Sequence, residues 1–120
     1  GVEIQTSMIF EYPNAQAILY SGLTSDSKME AEISGSTGAI HIKPRWHEAE
    51  GYTLIKGGEI QEFDLPAPGN GYTYEIEEVH ACLQAQNLES NLWSHQNSLD
   101  LAQLLETVRS QNGITFPFEQ

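Results

Sequence analysis

The segment Lys43-Pro44-Arg45-Trp46-His47 concentrates side chains that could bind a ligand. It holds two of the five basic residues of the chain, beside a tryptophan and a histidine. Loops between strands commonly carry binding residues, and arginine donors next to an aromatic ring suit a polar, hydroxylated ligand. The same residues are also typical of a turn in which Trp46 only caps the edge of a sheet. The residues alone slightly favour the second interpretation, and both stay open.

The four histidines form no metal-binding pattern. His41 and His47 fall in or just after a predicted strand, and His80 and His95 fall in predicted helices. None belongs to an H-x-x-x-H motif, and the single cysteine, Cys82, lies inside a predicted helix. We therefore expect structural or surface histidines and no bound metal.

The sequence also gives no catalytic nucleophile. Ser34 and Ser36 lie outside any G-x-S-x-G motif, and the acidic helix around Cys82 disfavours a thiolate. Structural roles explain all three residues, so we expect no catalytic residue in this chain.

Two further patterns resemble functional motifs only superficially. The acidic residues Glu75, Glu77 and Glu78 fall in the first two turns of a predicted helix, where the helix dipole favours negative charge. The stretch Gly69-Asn70-Gly71 precedes that helix but lacks the third glycine of a dinucleotide fingerprint and any nearby lysine or arginine. We therefore expect no cofactor site here.

Period-two alternation and turn residues predict about six strands in hairpin succession. Residues 17–20 are apolar on both faces, which predicts a central strand covered on two sides. The pair Gly57-Gly58 predicts a two-residue hairpin turn, because both positions tolerate positive φ. The predicted strands are Val2–Tyr12, Ala15–Thr24, Lys28–Ser34, Ala39–Lys43, Tyr52–Lys56 and Glu59–Leu65.

After the loop 66–69 the hydrophobic period changes to that of a helix. We predict one helix from about Tyr72 to Ala85 and a second from about His95 to Asn112, with Ser94 as N-cap and Gly113 as the stop. Strands followed by helices indicate an α+β fold, an open, mostly antiparallel sheet with two helices packed on one face. The other sheet face then meets water or a partner, and we expect self-association through it.

Charge and length limit the possible partners and classes of protein. The 120 residues include 5 basic and 17 acidic side chains, a formal charge of −12, and their number suits a single domain. Nucleic acid and anionic membranes attract clusters of Lys and Arg, so neither is expected as a partner. No apolar run approaches the roughly 20 residues of a membrane helix. A lone cysteine cannot form an internal disulfide, which fits the cytoplasm, our expected location, without excluding other compartments.

Beyond these features, three segments resemble the C-terminal domain of the Gfo/Idh/MocA oxidoreductases. Residues 32–40 (EISGSTGAI) resemble its "E-I-x-G-T-x-G-x-I" hairpin, and residues 71–83 (GYTYEIEEVHACL) resemble its "G-Y-x-Y-E-x-E-x-V-x-x-C-L" helix. Residues 88–90, then 98–113, are similar to its closing segment. The order and spacing are retained over nearly the whole chain, and within the family the dihydrodiol-dehydrogenase-like branch is the most similar.

The resemblance implies a two-domain parent enzyme. An N-terminal Rossmann domain would bind NAD or NADP, and this C-terminal domain would shape the substrate pocket and oligomerise through its open sheet. The family's G-x-G-x-x-G unit, catalytic lysine and acid/base residues would all precede residue 1. Residues 1–120 would then be a single C-terminal domain without the Rossmann domain, a truncated form that is inactive alone. In such an enzyme, this domain would form one wall of the substrate pocket, and the small-molecule substrate would contact Arg45, Trp46, His47 and Tyr72.

We therefore expect part of an NAD(P)-dependent oxidoreductase acting on a sugar, polyol or diol. The alternative is a complete, non-enzymatic binding or dimerisation module, and a small hydrolase or metalloenzyme is a more distant possibility. An upstream strand–G-x-G-x-x-G–helix unit in the reading frame would favour the enzyme, and a start codon just before Val2 would favour the module.

Overall fold

Six strands and two helices follow one another in the order that the sequence predicts. The computed structural model describes residues 3–48, 50–69 and 71–119. The strands are β1 (Gln5–Tyr12), β2 (Ala15–Gly22), β3 (Ala31–Gly35), β4 (Gly38–Ile42), β5 (Gly51–Lys56) and β6 (Glu59–Asp64). The helices are α1 (Thr73–Gln84) and α2 (His95–Gln111), and single 3₁₀ turns span Trp46–Glu48 and Pro117–Glu119. The predicted α+β class and its six strands are confirmed, whereas the sequence did not predict the two 3₁₀ turns.

The strands form two antiparallel sheets instead of the one sheet that we expected. One is the hairpin β1-β2, and the other has the order β3-β4-β5-β6. The chain divides accordingly into two compact units. We call residues 1–26 with 89–120 the hairpin unit, which contains β1, β2 and α2, and residues 27–88 the sheet unit, which contains the other four strands and α1. No described helix is long and apolar enough to cross a membrane.

Short turns set the strand register in both units. In the hairpin unit, Tyr12 pairs with Ala15 around the turn at residues 13 and 14. In the sheet unit, Gly57 and Gly58 join β5 to β6 with φ angles of 61° and 84°. These values confirm the predicted turn, because a type I′ turn needs positive φ at both central residues.

The second helix begins and ends where its sequence predicts. Ser94 Oγ accepts a hydrogen bond from the Asn97 amide at 3.2 Å, and Asn97 Oδ1 accepts one from the Ser94 amide at 2.9 Å. This reciprocal pair satisfies donors that the first turn would otherwise leave open. Gly113 then ends the helix with φ of 64°, a conformation that favours glycine.

The predicted environment of β2 was wrong. It is an outer strand of a two-stranded sheet, not a central strand covered twice, and Ile18 at its middle is 73% exposed. The apolar run does exist on both faces of the strand. An apolar pattern indicates which side chains of a strand could be buried, but the neighbouring strands and layers determine which of them are buried.

Both units leave much of their apolar surface accessible. No described side chain is fully buried. The large apolar side chains of α1 are exposed, with Leu83 at 69%. In the four-stranded sheet, alternate residues divide the two faces. One face carries the apolar side chains of Ala31, Ile33, Ile40, Ile42, Tyr52, Leu54 and Phe63, with Gln61, Lys56 and Glu59 on the same side of β5 and β6. We call it the apolar face.

Candidate functional site

A row of polar side chains crosses the opposite face of the four-stranded sheet. The register places Glu32 of β3 beside His41 of β4, His41 beside Thr53 of β5, and Thr53 beside Glu62 of β6. Because residues directly paired in a sheet project to the same side, these four side chains form one line, which we call the polar row.

Two neighbouring pairs within the polar row are in contact. His41 Nε2 lies 3.7 Å from Glu32 Oε2, and Thr53 Oγ1 donates a hydrogen bond of 3.0 Å to Glu62 Oε1. Ser34, two residues along β3, donates its hydroxyl hydrogen to Glu32 Oε1. The row therefore combines carboxylate acceptors with hydroxyl and imidazole groups that can donate, a mixture that suits a hydroxylated ligand.

A cleft lies over this row and is lined by three of its four members. Its volume is about 260 Å³, and its polar lining comes from Glu30, Glu32, His41, Lys43 and Thr53. Pro44, which belongs to the basic segment, also lines it. The cleft thus adjoins the segment that the sequence singled out for ligand contact.

Lys43 stands at the junction of the cleft and the basic segment. Its ammonium nitrogen Nζ lies 2.6 Å from Asp64 Oδ1, at the end of β6. The hydrogen bond to that carboxylate, with the charges of Asp64, Glu62 and Glu50, raises the pKa of Lys43 above its ordinary value of 10.5, against the opposing effect of desolvation. The lysine therefore keeps its positive charge throughout the neutral range.

The structure brings together three of the four predicted site residues. Arg45, Trp46 and His47 occupy the tight turn after β4, where Arg45 has φ of 59° and the Trp46 amide donates to Met29 O at 2.9 Å. The indole is 57% exposed and meets the His47 ring edge-on, with 5.5 Å between ring centroids. The aromatic surface is thus accessible to a ligand, and the backbone bond to Met29 ties the same turn to the segment before β3.

The Arg45 guanidinium already has a partner. Its Nη2 lies 2.8 Å from Glu48 Oε2, and Glu48 Oε1 is 3.7 Å from His47 Nε2. The carboxylate orients both side chains, while the exposed faces of arginine and histidine stay available. A ligand can therefore use the remaining guanidinium donors, since arginine carries five.

The fourth predicted residue, Tyr72, lies apart from this turn. It caps the start of α1, its carbonyl accepts from the Ile76 amide at 3.1 Å, and its side chain is exposed. Among the described residues, no hydrogen bond, ion pair or ring contact joins it to Arg45, Trp46 or His47.

The other candidate groups have local partners. Cys82 Sγ donates to Glu78 Oε1 one turn earlier, at 3.4 Å, and His95 Nδ1 lies 3.6 Å from Glu89 Oε2. Within the described ranges, no three His, Cys, Asp or Glu side chains are grouped to hold a metal ion. Asn70 of the Gly-Asn-Gly stretch lies outside the described residues.

Sequence reasoning missed the polar row. Each of its members occupies an ordinary position in an alternating strand, and only the pairing of four strands puts them in one line. The short turns of the two hairpins gave a usable signal, because a two-residue turn determines which residues are paired. Applied to residues 31–42 and 51–64, that rule places Glu32 with His41 and Thr53 with Glu62.

Comparison with known proteins identifies similar enzymes. A trans-1,2-dihydrobenzene-1,2-diol dehydrogenase of Sus scrofa is 34% identical over 128 residues, and its human counterpart is 31% identical over 127. A scyllo-inositol 2-dehydrogenase (NADP(+)) of Bacillus subtilis is 29% identical over 120 residues. The matches cover 98–100% of this chain but only 37% of each of these relatives. No family model matches the chain.

These relatives agree with the resemblance carried by residues 32–40 and 71–83. The match extends over essentially the whole chain, and the chain spans little more than a third of each relative. That share is consistent with a C-terminal domain. The chain therefore belongs to the Gfo/Idh/MocA oxidoreductase family, in the branch of the dihydrodiol dehydrogenases, and corresponds to its C-terminal domain.

Proposed function

We propose that the chain serves as the C-terminal domain of an NAD(P)-dependent oxidoreductase acting on a sugar, polyol or diol. The observation that carries this proposal is the match to two kinds of dehydrogenase, one named for an inositol and one for a cyclic 1,2-diol. Both names denote rings with hydroxyl groups on neighbouring carbons. The shared chemistry is thus oxidation of a secondary alcohol that has a second hydroxyl beside it.

The cleft and the basic turn supply the part of the substrate pocket that belongs to this chain. A ring with several hydroxyls needs an acceptor and a donor for each of them. The carboxylates of Glu30 and Glu32 accept, and the Lys43 ammonium donates. The exposed indole of Trp46 provides a flat apolar surface for the carbon face of the ring. These residues bind and orient the substrate. Trp46 can also cap the edge of the sheet while its exposed face contacts the substrate.

The nicotinamide nucleotide binds outside these 120 residues in this proposal. When bound, it accepts the hydride from the substrate carbon. A pyrophosphate needs helix N-terminal amides with nearby positive charge, and no basic residue occurs between Lys56 and Arg109. The chain alone is accordingly expected to be inactive and to contribute binding and orientation only.

The apolar face of the four-stranded sheet provides the oligomer interface. Tyr52 and Phe63 stack there with 4.7 Å between ring centroids, and Ile33 at the edge is exposed. Exposed contiguous apolar surface is typical of protein contacts. Ile33→Glu is therefore expected to weaken association through this face, as sedimentation equilibrium would show, whereas Lys28→Met on the exposed segment before β3 should not. An unchanged association constant for Ile33→Glu would reject the face as the interface.

Two measurements test the function. Calorimetric titration of the 120-residue chain with NAD and with NADP should detect no binding, and micromolar affinity would reject the proposal. The longer reading frame should encode a strand–G-x-G-x-x-G–helix unit, and its product should reduce NAD or NADP with a cyclic polyol or diol. A reading frame that starts just before residue 2 would favour the alternative, a binding or dimerisation module.

Variants of the longer enzyme test the substrate wall. Arg45→Ala should raise KM for the polyol by roughly tenfold or more, the usual effect of losing a charged hydrogen bond, with unchanged affinity for the nucleotide. Lys56→Ala is the matched control, because Lys56 is a cation at the end of β5 that lines neither the cleft nor the basic turn. Equal KM values for wild type and Arg45→Ala would remove Arg45 from the site.

A further inference from the structure

The outer edge of β2 carries a row of backbone groups that no other strand of the described residues pairs with. The Leu23 amide donates to Ile4 O at 2.9 Å, and this pair continues the register in which Thr6 faces Ser21 and Met8 faces Leu19. Hydrogen-bonded pairs alternate with non-hydrogen-bonded pairs in an antiparallel ladder. The residues between the bonded positions therefore direct their N–H and C=O groups away from β1, namely Gln16, Ile18 and Tyr20.

Charge distinguishes this edge from the other strand edges that are open. Outer strands are usually protected from further pairing by charged residues. Among the described strands with an open edge, β1 carries Glu11, β3 carries Glu32, and β6 carries Glu59, Glu62 and Asp64. The eight residues of β2 (AQAILYSG) include no charge at all. It is the one edge without that protection in the described part of the chain.

The chemistry of this edge fits a second copy of the same chain. Two copies with a formal charge of −12 each repel one another, and pairing through β1, β3 or β6 would bring additional carboxylates into the contact. Pairing of β2 with β2 brings none. An isolated two-stranded hairpin is also only marginally stable, and three or more strands give a sheet much greater stability.

We propose that β2 pairs in antiparallel orientation with β2 of a second copy, which joins two hairpins into one four-stranded sheet. Centred on Ile18, this pairing sets Ile18 against Ile18 of the second copy and Gln16 against Tyr20 of the second copy, and each pair shares a face. Ile18 is 73% exposed in the single chain and loses much of that exposure on pairing. The contact is separate from the apolar face of the sheet unit and independent of the enzymatic proposal.

Proline substitution tests the edge directly, because proline has no amide hydrogen to donate. Ile18→Pro removes an outward donor from β2 and leaves the ladder to β1 intact. Losing one donor from each copy should weaken dimerisation by at least about 30-fold, given about 1 kcal/mol for each hydrogen bond. Sedimentation equilibrium at moderate salt measures this change, and rising salt should strengthen the wild-type dimer by screening the repulsion.

Ile9→Pro is the matched control. Ile9 is the cross-strand partner of Ile18 in the same non-hydrogen-bonded pair, is 63% exposed, and directs its amide to the opposite edge of the hairpin. It should leave the dimer unchanged. Ile18→Glu and Ile9→Glu repeat the comparison without altering the backbone, and circular dichroism checks that each variant is folded.

Three results would overturn the proposal. These are a wild-type chain that stays monomeric at high concentration and salt, an Ile18→Pro or Ile18→Glu variant that dimerises as wild type does, and an Ile9 variant that weakens the dimer equally. Repeating the series in the Ile33→Glu background separates this edge from the apolar face, since only the edge contact responds to substitution of Ile18.

Discussion

The hairpin unit and the sheet unit carry the same net charge but distribute it differently. The hairpin unit has 1 basic and 7 acidic residues and the sheet unit has 4 and 10, so each has a formal charge of −6. In the sheet unit, cations are paired around the cleft, as Lys43 is with Asp64 and Arg45 with Glu48. In the hairpin unit, β2 has no charge at all. The total charge is thus a poor guide to partners, because its local distribution distinguishes the polar cleft from the uncharged strand edge.

Different interactions also stabilise each unit internally. The sheet unit depends on close backbone approach between β5 and β6, where Gly51 lies against the Phe63 carbonyl. The hairpin unit depends on α2 and the segment that follows it. There Arg109 Nη1 donates to Ile114 O at 3.0 Å, and its guanidinium lies 5.2 Å from the centre of the Phe116 ring. Each unit contains one tryptophan, Trp46 or Trp93, so fluorescence of single-tryptophan variants can follow each unit separately.

The largest effect is expected for Gly51→Ala. Gly51 has φ of 154°, and a Cβ atom there would overlap the Phe63 carbonyl oxygen of the neighbouring strand. Because the carbonyl oxygen is a backbone atom and the position of Cβ is fixed by the Gly51 backbone, the strands must separate, and the sheet unit should lose about 3 kcal/mol of unfolding free energy. Urea unfolding followed by Trp46 fluorescence in a Trp93→Phe background measures this loss.

Gly71→Ala serves as control for that experiment. A Cβ atom at Gly71 meets nothing within 4 Å, so stability should change by no more than about 0.5 kcal/mol. If Gly51→Ala shifts the Trp93 transition as strongly as the Trp46 transition, the two units unfold as one and the distinction between them fails.

A smaller loss is expected for Ser94→Ala at the start of α2. The substitution removes the hydroxyl that accepts from the Asn97 amide and should cost about 1 kcal/mol, confined to the hairpin unit. Thermal unfolding followed by circular dichroism at 222 nm, with Trp46 fluorescence in parallel, separates the units. Ser110→Ala near the other end of the same helix should be nearly neutral, and a loss of equal size there would show that the cap is not the cause.

Acid should affect the hairpin unit through Glu106. Hydrogen bonds from Arg109 lower the pKa of this carboxyl below its ordinary value of 4.5. Its contribution to stability is therefore fully present above pH 4.5 and is lost as the pH falls through the lowered pKa. Glu106→Gln should flatten this part of the stability profile, measured by urea unfolding between pH 5 and pH 3. Glu11→Gln, in the same unit, should retain the wild-type profile.

The smallest effect is expected at alkaline pH in the sheet unit. The pKa of Lys43 is raised by the hydrogen bond to Asp64, so this contribution is present below pH 10.5 and is lost as the pH rises through the higher folded value. Asp64→Asn should remove that pH dependence from the Trp46 transition. Lys56→Gln is the comparison, and an equal change there would mean that general charge, not this pair, is responsible.

Local sequence predicted the elements best where their ends are chemically marked. The start of α2 at Ser94, its stop at Gly113 and the turn at Gly57-Gly58 all depend on residues within a few positions of one another. The position of β2 could not be predicted in the same way, because the apolar residues 17–20 suit a central strand and an outer strand equally. The requirement for glycine at Gly51 was also invisible, since it arises from a carbonyl twelve residues further along the chain.

The candidate site shows the same difference between features that local sequence predicts and features that depend on distant residues. The cluster Arg45, Trp46 and His47 is contiguous in the sequence and was predicted as a unit, whereas its partners Glu48 and Met29 appeared only in the structure. Tyr72 was grouped with them because it lies where the loop meets the first helix, and the described contacts do not join it to the turn.

The sequence by itself determined the order of the strands and helices, the helix caps, the distribution of charge and the family of the chain. These properties depend on neighbouring residues, on composition or on motifs in the linear sequence. Only the tertiary structure decided that Glu32, His41, Thr53 and Glu62 form one row, that a cleft lies over it, and that β2 is an outer strand of its sheet in the described part of the chain. The physical reason is that each of these depends on which strands pair, and hydrogen-bonded pairing joins residues far apart in the sequence.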